Sequence, residues 1–169
     1  MAGVGAVRVT LRLADPAATA GLAQRIAAVA RPGDVIALAG DLGSGKTAFA
    51  RAFIRARSRA DEDVPSPTFT LVQTYGGTGA GDGTEPVTIW HFDLYRLEAP
   101  GDAVELGIDE AFVDAISLIE WPDRLGALLP ARSLVLTLAF DPAGGEDGRI
   151  ATLAGDGSWR QRLGEVGVV

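Results

Sequence analysis

The stretch VIALAGDLGSGKTAF, residues 35–49, decides how the rest of this sequence is read. Its first five residues form an unbroken apolar run, the pattern of a strand buried on both faces. Glycines end that run. From Lys46 onward Phe49, Phe53, Ile54 and Ala56 recur at helical spacing. Strand, glycine loop and amphipathic helix are the context that the phosphate-binding pattern G-x-x-x-x-G-K-[ST] requires, and Gly40, Asp41, Leu42, Gly43, Ser44, Gly45, Lys46 and Thr47 fit it. Glycines let the backbone approach oxyanions and adopt positive φ, so that successive amide N–H groups converge at the positive end of the following helix. Lys46 then offers a compact cation to the β- and γ-phosphates, and the Thr47 hydroxyl is placed to ligate Mg²⁺.

Around this centre the chain alternates strands and helices. VRVTLRL (residues 7–13) alternates like a half-buried strand, and Asp15-Pro16 supplies an N-cap and a first-turn proline for a helix to about Ala30. SPTFTLVQTY (66–75) reads as a strand entered through a proline turn, and VTIWHFDLYRL (87–97) as the opposite arm of a hairpin. The intervening GGTGAGDGTE (76–85) is expected to be a mobile loop. Short helical pieces are expected over 102–112, a buried strand over AISLI (115–119), and a short helix from Pro122. Residues 134–140 and 149–153 flank a Gly/Pro/Asp turn and predict a terminal antiparallel hairpin, followed by a helix over 158–163. The sum is an α/β chain, read as one domain over residues 1–169.

Lys46 is the only lysine, against fourteen arginines, and no cysteine is present. A disulfide framework and thiolate metal sites are therefore excluded. No apolar run reaches the length of a membrane span, and the N-terminal residues do not read as a signal peptide, so a cytoplasmic protein is expected. A net charge of −7 argues against broad, sequence-independent nucleic-acid binding, and neither DNA nor membrane is an expected partner. Arg51, Arg55 and Arg59 share a helix side and are read as a solvated face. Guanine-specific enzymes of the phosphate-loop class read their base with Asn-Lys-x-Asp or Thr-Lys-x-Asp. A chain whose single lysine sits in the phosphate loop cannot carry either, which favours ATP over GTP.

Phosphate-loop ATPases also need carboxylates. ISLIE ends an apolar strand in Glu120, as a metal-binding strand does, or simply as a strand emerging into solvent. Within IWHFDLYR, period two puts His91, Asp93 and Tyr95 on one face and Trp90, Phe92 and Leu94 on the other. His91, the only histidine, reads equally as structural or catalytic. Ser66-Pro67-Thr68 reads either as a switch that carries a hydroxyl to the nucleotide or as a plain proline turn.

Taken in order and spacing, GDLGSGKT, SPTFTLVQTY, HFDLYRLE, ELGIDEAF and IEWP resemble the TsaE family, formerly YjeE. The resemblance implies a P-loop NTPase fold, a three-layer sandwich with a mixed central sheet and antiparallel edge hairpins. It implies an Mg²⁺-dependent ATPase, weak alone, that works with TsaB and TsaD in making threonylcarbamoyladenosine at position 37 of tRNAs. Contact with tRNA is then expected only through that complex. Carried over by position, Gly43 through Ala48 hold the phosphates, and Thr47, Asp93 and Glu120 make the metal site. Lys46, Asp93 and Glu120 form the catalytic set. Trp121 lies beside the nucleotide, Thr68 sits in the switch, and Arg96 serves the site or a partner surface. The alternative reading, a small-molecule kinase, needs an arginine-bearing lid, and residues 76–85 contain no arginine.

Overall fold

A computed structural model describes residues 5–58, 70–79 and 85–169. The elements in chain order are β1 (Val7–Leu13), α1 (Pro16–Val29), β2 (Val35–Ala39), α2 (Lys46–Arg57), β3 (Val72–Thr78), β4 (Pro86–Asp93), α3 (Asp102–Glu105), α4 (Ile108–Asp114), β5 (Ile116–Glu120), a 3-10 helix (Pro122–Leu128), β6 (Leu134–Phe140), β7 (Arg149–Gly155) and α5 (Gly157–Glu165). The strands form a single seven-stranded sheet in the order β1-β7-β6-β2-β5-β4-β3. Its centre, β6-β2-β5-β4, is parallel, while β3 pairs antiparallel with β4 on one side and β7 pairs antiparallel with both β6 and β1 on the other. This is the P-loop NTPase architecture expected above: a mixed sheet with antiparallel edges between two layers of helices.

Alternation along the central strands sends side chains into two separate cores. Ile36, Leu38, Ile116 and Leu118 pack with Leu22 and Ile26 of α1, Phe49 and Phe53 of α2, and Trp159 of α5. Val35, Phe92 and Ile119 pack on the opposite face with Ala103, Ile108, Ala111 and Leu125. Because β2 and β5 are covered on both sides, they are apolar apart from Ser117 and the one charged residue that ends β5.

At residues 76–78 the glycine-rich connection differs from the expected mobile loop, and residues 80–84 of that loop lie outside the described residues. Gly76, Gly77 and Thr78 belong to β3 and pair with Thr88, Val87 and Pro86. The reason is close packing. A Cβ on Gly77 would stand 3.1 Å from Ile89 Cδ1 and 3.3 Å from the Arg57 carbonyl, so a side chain there would crowd the end of α2 where it lies against the sheet. Arg57, which no sequence pattern singled out, is buried there. It donates to Ala27 O (2.6 Å), Ala30 O (2.9 Å) and Thr78 O (2.8 Å), tying the end of α1 to the hairpin. Arg55 is exposed and Arg51 half-buried, whereas Arg59 lies outside the described residues.

Candidate active site

The parallel register sets the site. Asp93 and Glu120 are Cα partners at the carboxyl ends of adjacent strands β4 and β5, and Leu38, two residues before Gly40, is the partner of Glu120 on its other side. Three neighbouring strand ends therefore deliver two carboxylates and the glycine loop to one crevice, where open α/β sheets bind ligands.

Gly40 leaves β2 with φ +142, and a Cβ there would lie 2.4 Å from Leu138 O and 2.6 Å from Ser44 Oγ. Gly45 caps α2 in the left-handed region (φ 108) with no side-chain hydrogen bond to the helix. The two other long helices are closed differently. Asp15 accepts from Ala18 N at the start of α1, and Asp156 from Ser158 N and Trp159 N at the start of α5. The first N–H groups of α2 are thus left to an external acceptor, with the positive end of the helix behind them.

Lys46 is the first residue of α2, and its ammonium turns back into the loop. It donates to Gly40 O (2.6 Å) and Asp41 O (2.9 Å) and lies 4.2 Å from the Trp121 ring centroid. Burial lowers its pKa below the ordinary lysine value, against the opposing pull of Glu120, Asp93, Asp41 and Asp123. The next hydroxyl, Thr47 Oγ1, donates to Glu120 Oε1 at 2.6 Å, and Glu120 Oε2 lies 2.9 Å from His91 Nε2. Glu120 and His91 are both buried, which rules out the solvent-facing reading of Glu120. Among the described residues His91 Nδ1 has no hydrogen-bond partner, so the tautomer with its proton on Nε2 satisfies Glu120 best.

A cavity of about 270 Å³ opens where these groups meet. Leu42, Gly43, Gly45, Lys46, Thr47 and Ala48 line it from the loop and helix, and Asp93, Glu120 and Trp121 from the strand ends. Gly40 and Asp41 do not line it; they present carbonyls to Lys46, and Ser44 is buried behind the loop. Trp121 has left-handed backbone (φ 59), which swings its ring over Lys46. Tyr95 departs from the expected strand face: β4 ends at Asp93, and the chain turns as Asp93 Oδ1 accepts from Tyr95 N (3.1 Å). The Tyr95 ring instead packs on Trp121 at 4.9 Å between centroids. Arg96 is exposed and does not line the cavity, and Thr68 lies outside the described residues. A larger cavity of about 570 Å³ lies between β1 and α5, away from every motif residue, with Arg8, Arg160 and Gln161 as its polar side chains.

A hydroxyl and two carboxylates are hard oxygen donors that suit Mg²⁺. Among the described residues no group of three His, Cys, Asp or Glu side chains could hold a metal ion.

Comparison with known proteins gives the family. The sequence model of the family described as "Threonylcarbamoyl adenosine biosynthesis protein TsaE" matches residues 13–148. The chain is 39% identical over 120 residues to the tRNA threonylcarbamoyladenosine biosynthesis protein TsaE of Rickettsia bellii, covering 71% of this chain and 78% of that one. It is 35% identical over 155 residues to the Bacillus subtilis protein of the same name, covering 91% and 90%. The crystal structure of Bacillus subtilis YdiB superposes with a TM-score of 0.72 at 30% identity, over 95% of this chain and 93% of that one. With this fold, this loop and these matches, the chain belongs to the TsaE family of threonylcarbamoyl adenosine biosynthesis proteins.

Proposed function

We propose that this protein is a magnesium-dependent, ATP-binding and ATP-hydrolysing subunit that supports threonylcarbamoyladenosine modification at position 37 of tRNAs. It acts with TsaB and TsaD and meets tRNA through that complex. The observation that carries the reading is the contact of Thr47 with Glu120 at the mouth of an uncapped helix, with Lys46 and Asp93 in the same cavity. The names of the relatives support the pathway, and the lone lysine supports ATP over GTP.

In this reading the loop amides and the α2 N-terminus take the phosphates. Lys46 exchanges its two loop carbonyls for phosphate oxygens. With its hydroxyl hydrogen donated to Glu120 Oε1, Thr47 keeps its oxygen lone pairs free and would offer them to a magnesium ion. Asp93 orients water on the strand-end side, and Trp121 shields Lys46 from solvent. Magnesium, when bound, supplies charge neutralisation across the phosphates. A cavity of about 220 Å³ on the other side of the loop, lined by Pro16, Thr19, Ser44, Ala48, Asp147 and Arg149, offers room for the nucleoside.

The test is reconstitution of the protein with TsaB, TsaD and tRNA, measuring phosphate release and modified tRNA together. Lys46→Ala is expected to lose nucleotide binding, and Asp93→Ala to retain binding while losing hydrolysis. Normal hydrolysis by Asp93→Ala and Glu120→Ala would remove the carboxylate assignment. Phosphate appearing on a metabolite instead of in water would favour a kinase.

A further inference from the structure

The phosphate-binding loop is also held from outside, by a residue from the other end of the chain. Arg149 opens β7 and points its guanidinium across to the loop, where Nε donates to Ser44 O (3.0 Å) and Nη2 to Gly43 O (3.3 Å). Its third nitrogen, Nη1, donates to Glu146 O (2.8 Å) and Gly148 O (2.9 Å) of the turn before β7. The guanidinium lies 4.6 Å from the ring centroid of Phe140, the last residue of β6, whose exposed ring thereby gains a partner. All four acceptors are backbone carbonyls. Among the described residues no carboxylate forms an ion pair with Arg149.

The base of this bracket is itself fixed. Asp141 begins the turn, accepts both Arg12 Nη2 and Arg12 Nε at 3.1 Å, and has its own N–H on Gly148 O at 3.1 Å. In an anion-binding nest the amide N–H groups converge inward only if the intervening carbonyls are turned away. Those of Gly43 and Ser44 end on one rigid, planar fork, on the side away from Lys46. We infer that Arg149 is a positioning residue: it fixes the peptide planes of Gly43 and Ser44, so that the loop amides are aimed before a polyphosphate arrives. The fork is essential because a lysine ammonium, a point charge on a flexible stem, cannot hold two planes and stack on Phe140 together.

This inference rests on the nucleotide reading for its ligand, but its structural half can be measured without one. The variants are Arg149→Lys, which keeps the charge, and Arg149→Met, which keeps the stem. In the ligand-free protein, ¹⁵N relaxation should give order parameters near about 0.85 for the amides of Gly43, Ser44 and Gly45, falling below about 0.6 in both variants while β2 and β5 stay rigid. ATP should bind both variants at least about tenfold more weakly, with the unfolding midpoint moved by only a few degrees. Native affinity in Arg149→Lys would overturn the inference, because charge alone would suffice. Weakened binding with unchanged loop order would also overturn it, since Arg149 would then act on the ligand directly. If the unaltered protein binds no ATP, the nucleotide reading fails, and the order parameters still decide whether Arg149 braces the loop.

Discussion

Glu120 does two jobs that two substitutions can separate. Its Oε1 receives the Thr47 hydroxyl and its Oε2 faces His91 Nε2, with the His91 side chain fully buried and that of Glu120 3% exposed. Glu120→Gln keeps the volume. With its amide turned so that the carbonyl still accepts from His91 Nε2 and the NH₂ donates to Thr47 Oγ1, no buried group loses its partner, so the cost is about 1 kcal/mol or less. Glu120→Ala removes both acceptors. It orphans a buried imidazole N–H, about 1–3 kcal/mol, and loses the packing of the carboxyl-bearing stem, about 1 kcal/mol more. For a chain of this length each kcal/mol moves the midpoint by roughly 2–4 °C. Calorimetry should therefore show a drop of roughly 2–4 °C or less for the Gln variant and roughly 5–15 °C for the Ala variant. Hydrolysis should not separate them: with TsaB and TsaD present, both should fall by about a hundredfold or more, since neither keeps a carboxylate beside Thr47. Equal midpoints would show that the His91 contact contributes nothing to the fold. A Gln variant that keeps more than about a tenth of the turnover at saturating magnesium would refute the role of the charge.

Two further outcomes follow from the loop. Because burial lowers the pKa of Lys46, ATP affinity should fall as pH rises through that lowered value, before the ordinary lysine value of 10.5 is reached. In the same window the unfolded chain binds the extra proton, so Lys46 makes ligand-free stability rise with pH. A fluorescent-nucleotide titration and a melting series from about pH 7 to about pH 10.5 should show these opposite trends, and Lys46→Met should remove both. Gly40→Ala forces a Cβ to 2.4 Å from a backbone carbonyl at a φ of +142, whereas Gly76→Ala meets nothing within 4 Å. The first should cost about 3 kcal/mol or more and abolish ATP binding, and the second should be near neutral by both melting and binding.

The sequence was most legible where physics acts locally. Residues 35–49 specify a buried strand, an uncapped helix and the loop between them, and the antiparallel β6–β7 hairpin was equally visible from its alternation and turn. Glycine was the local signal that misled. Residues 76–78 look flexible by composition, yet they belong to β3, where the Arg57 carbonyl and Ile89 would crowd a side chain on Gly77. The pairing of Asp93 with Glu120 needed the strand order, which no single segment encodes. The role of His91 was open for the same reason: its partner is 29 residues away, and only the adjacency of β4 and β5 brings them together. Arg149 gave no signal at all, since an arginine opening a strand near a polar turn has the pattern of solvent exposure, and its loop acceptors lie 105 and 106 residues away.

The single lysine and the arginine bracket explain one another through the geometry of the loop. Inside the nest the acceptors are Gly40 O and Asp41 O, and a small ammonium with rotatable donors serves changing acceptors. Outside, the acceptors are fixed peptide carbonyls at two adjacent residues, and a planar fork held by Phe140 serves those. Exchanging the two cations would place a bulky, permanently forked group where the polyphosphate enters, and a mobile point charge where two peptide planes must be held. An arginine-rich composition can therefore spread over every other basic position of this chain while Lys46 remains. The constraint is set by the side of the loop on which each cation stands, not by charge.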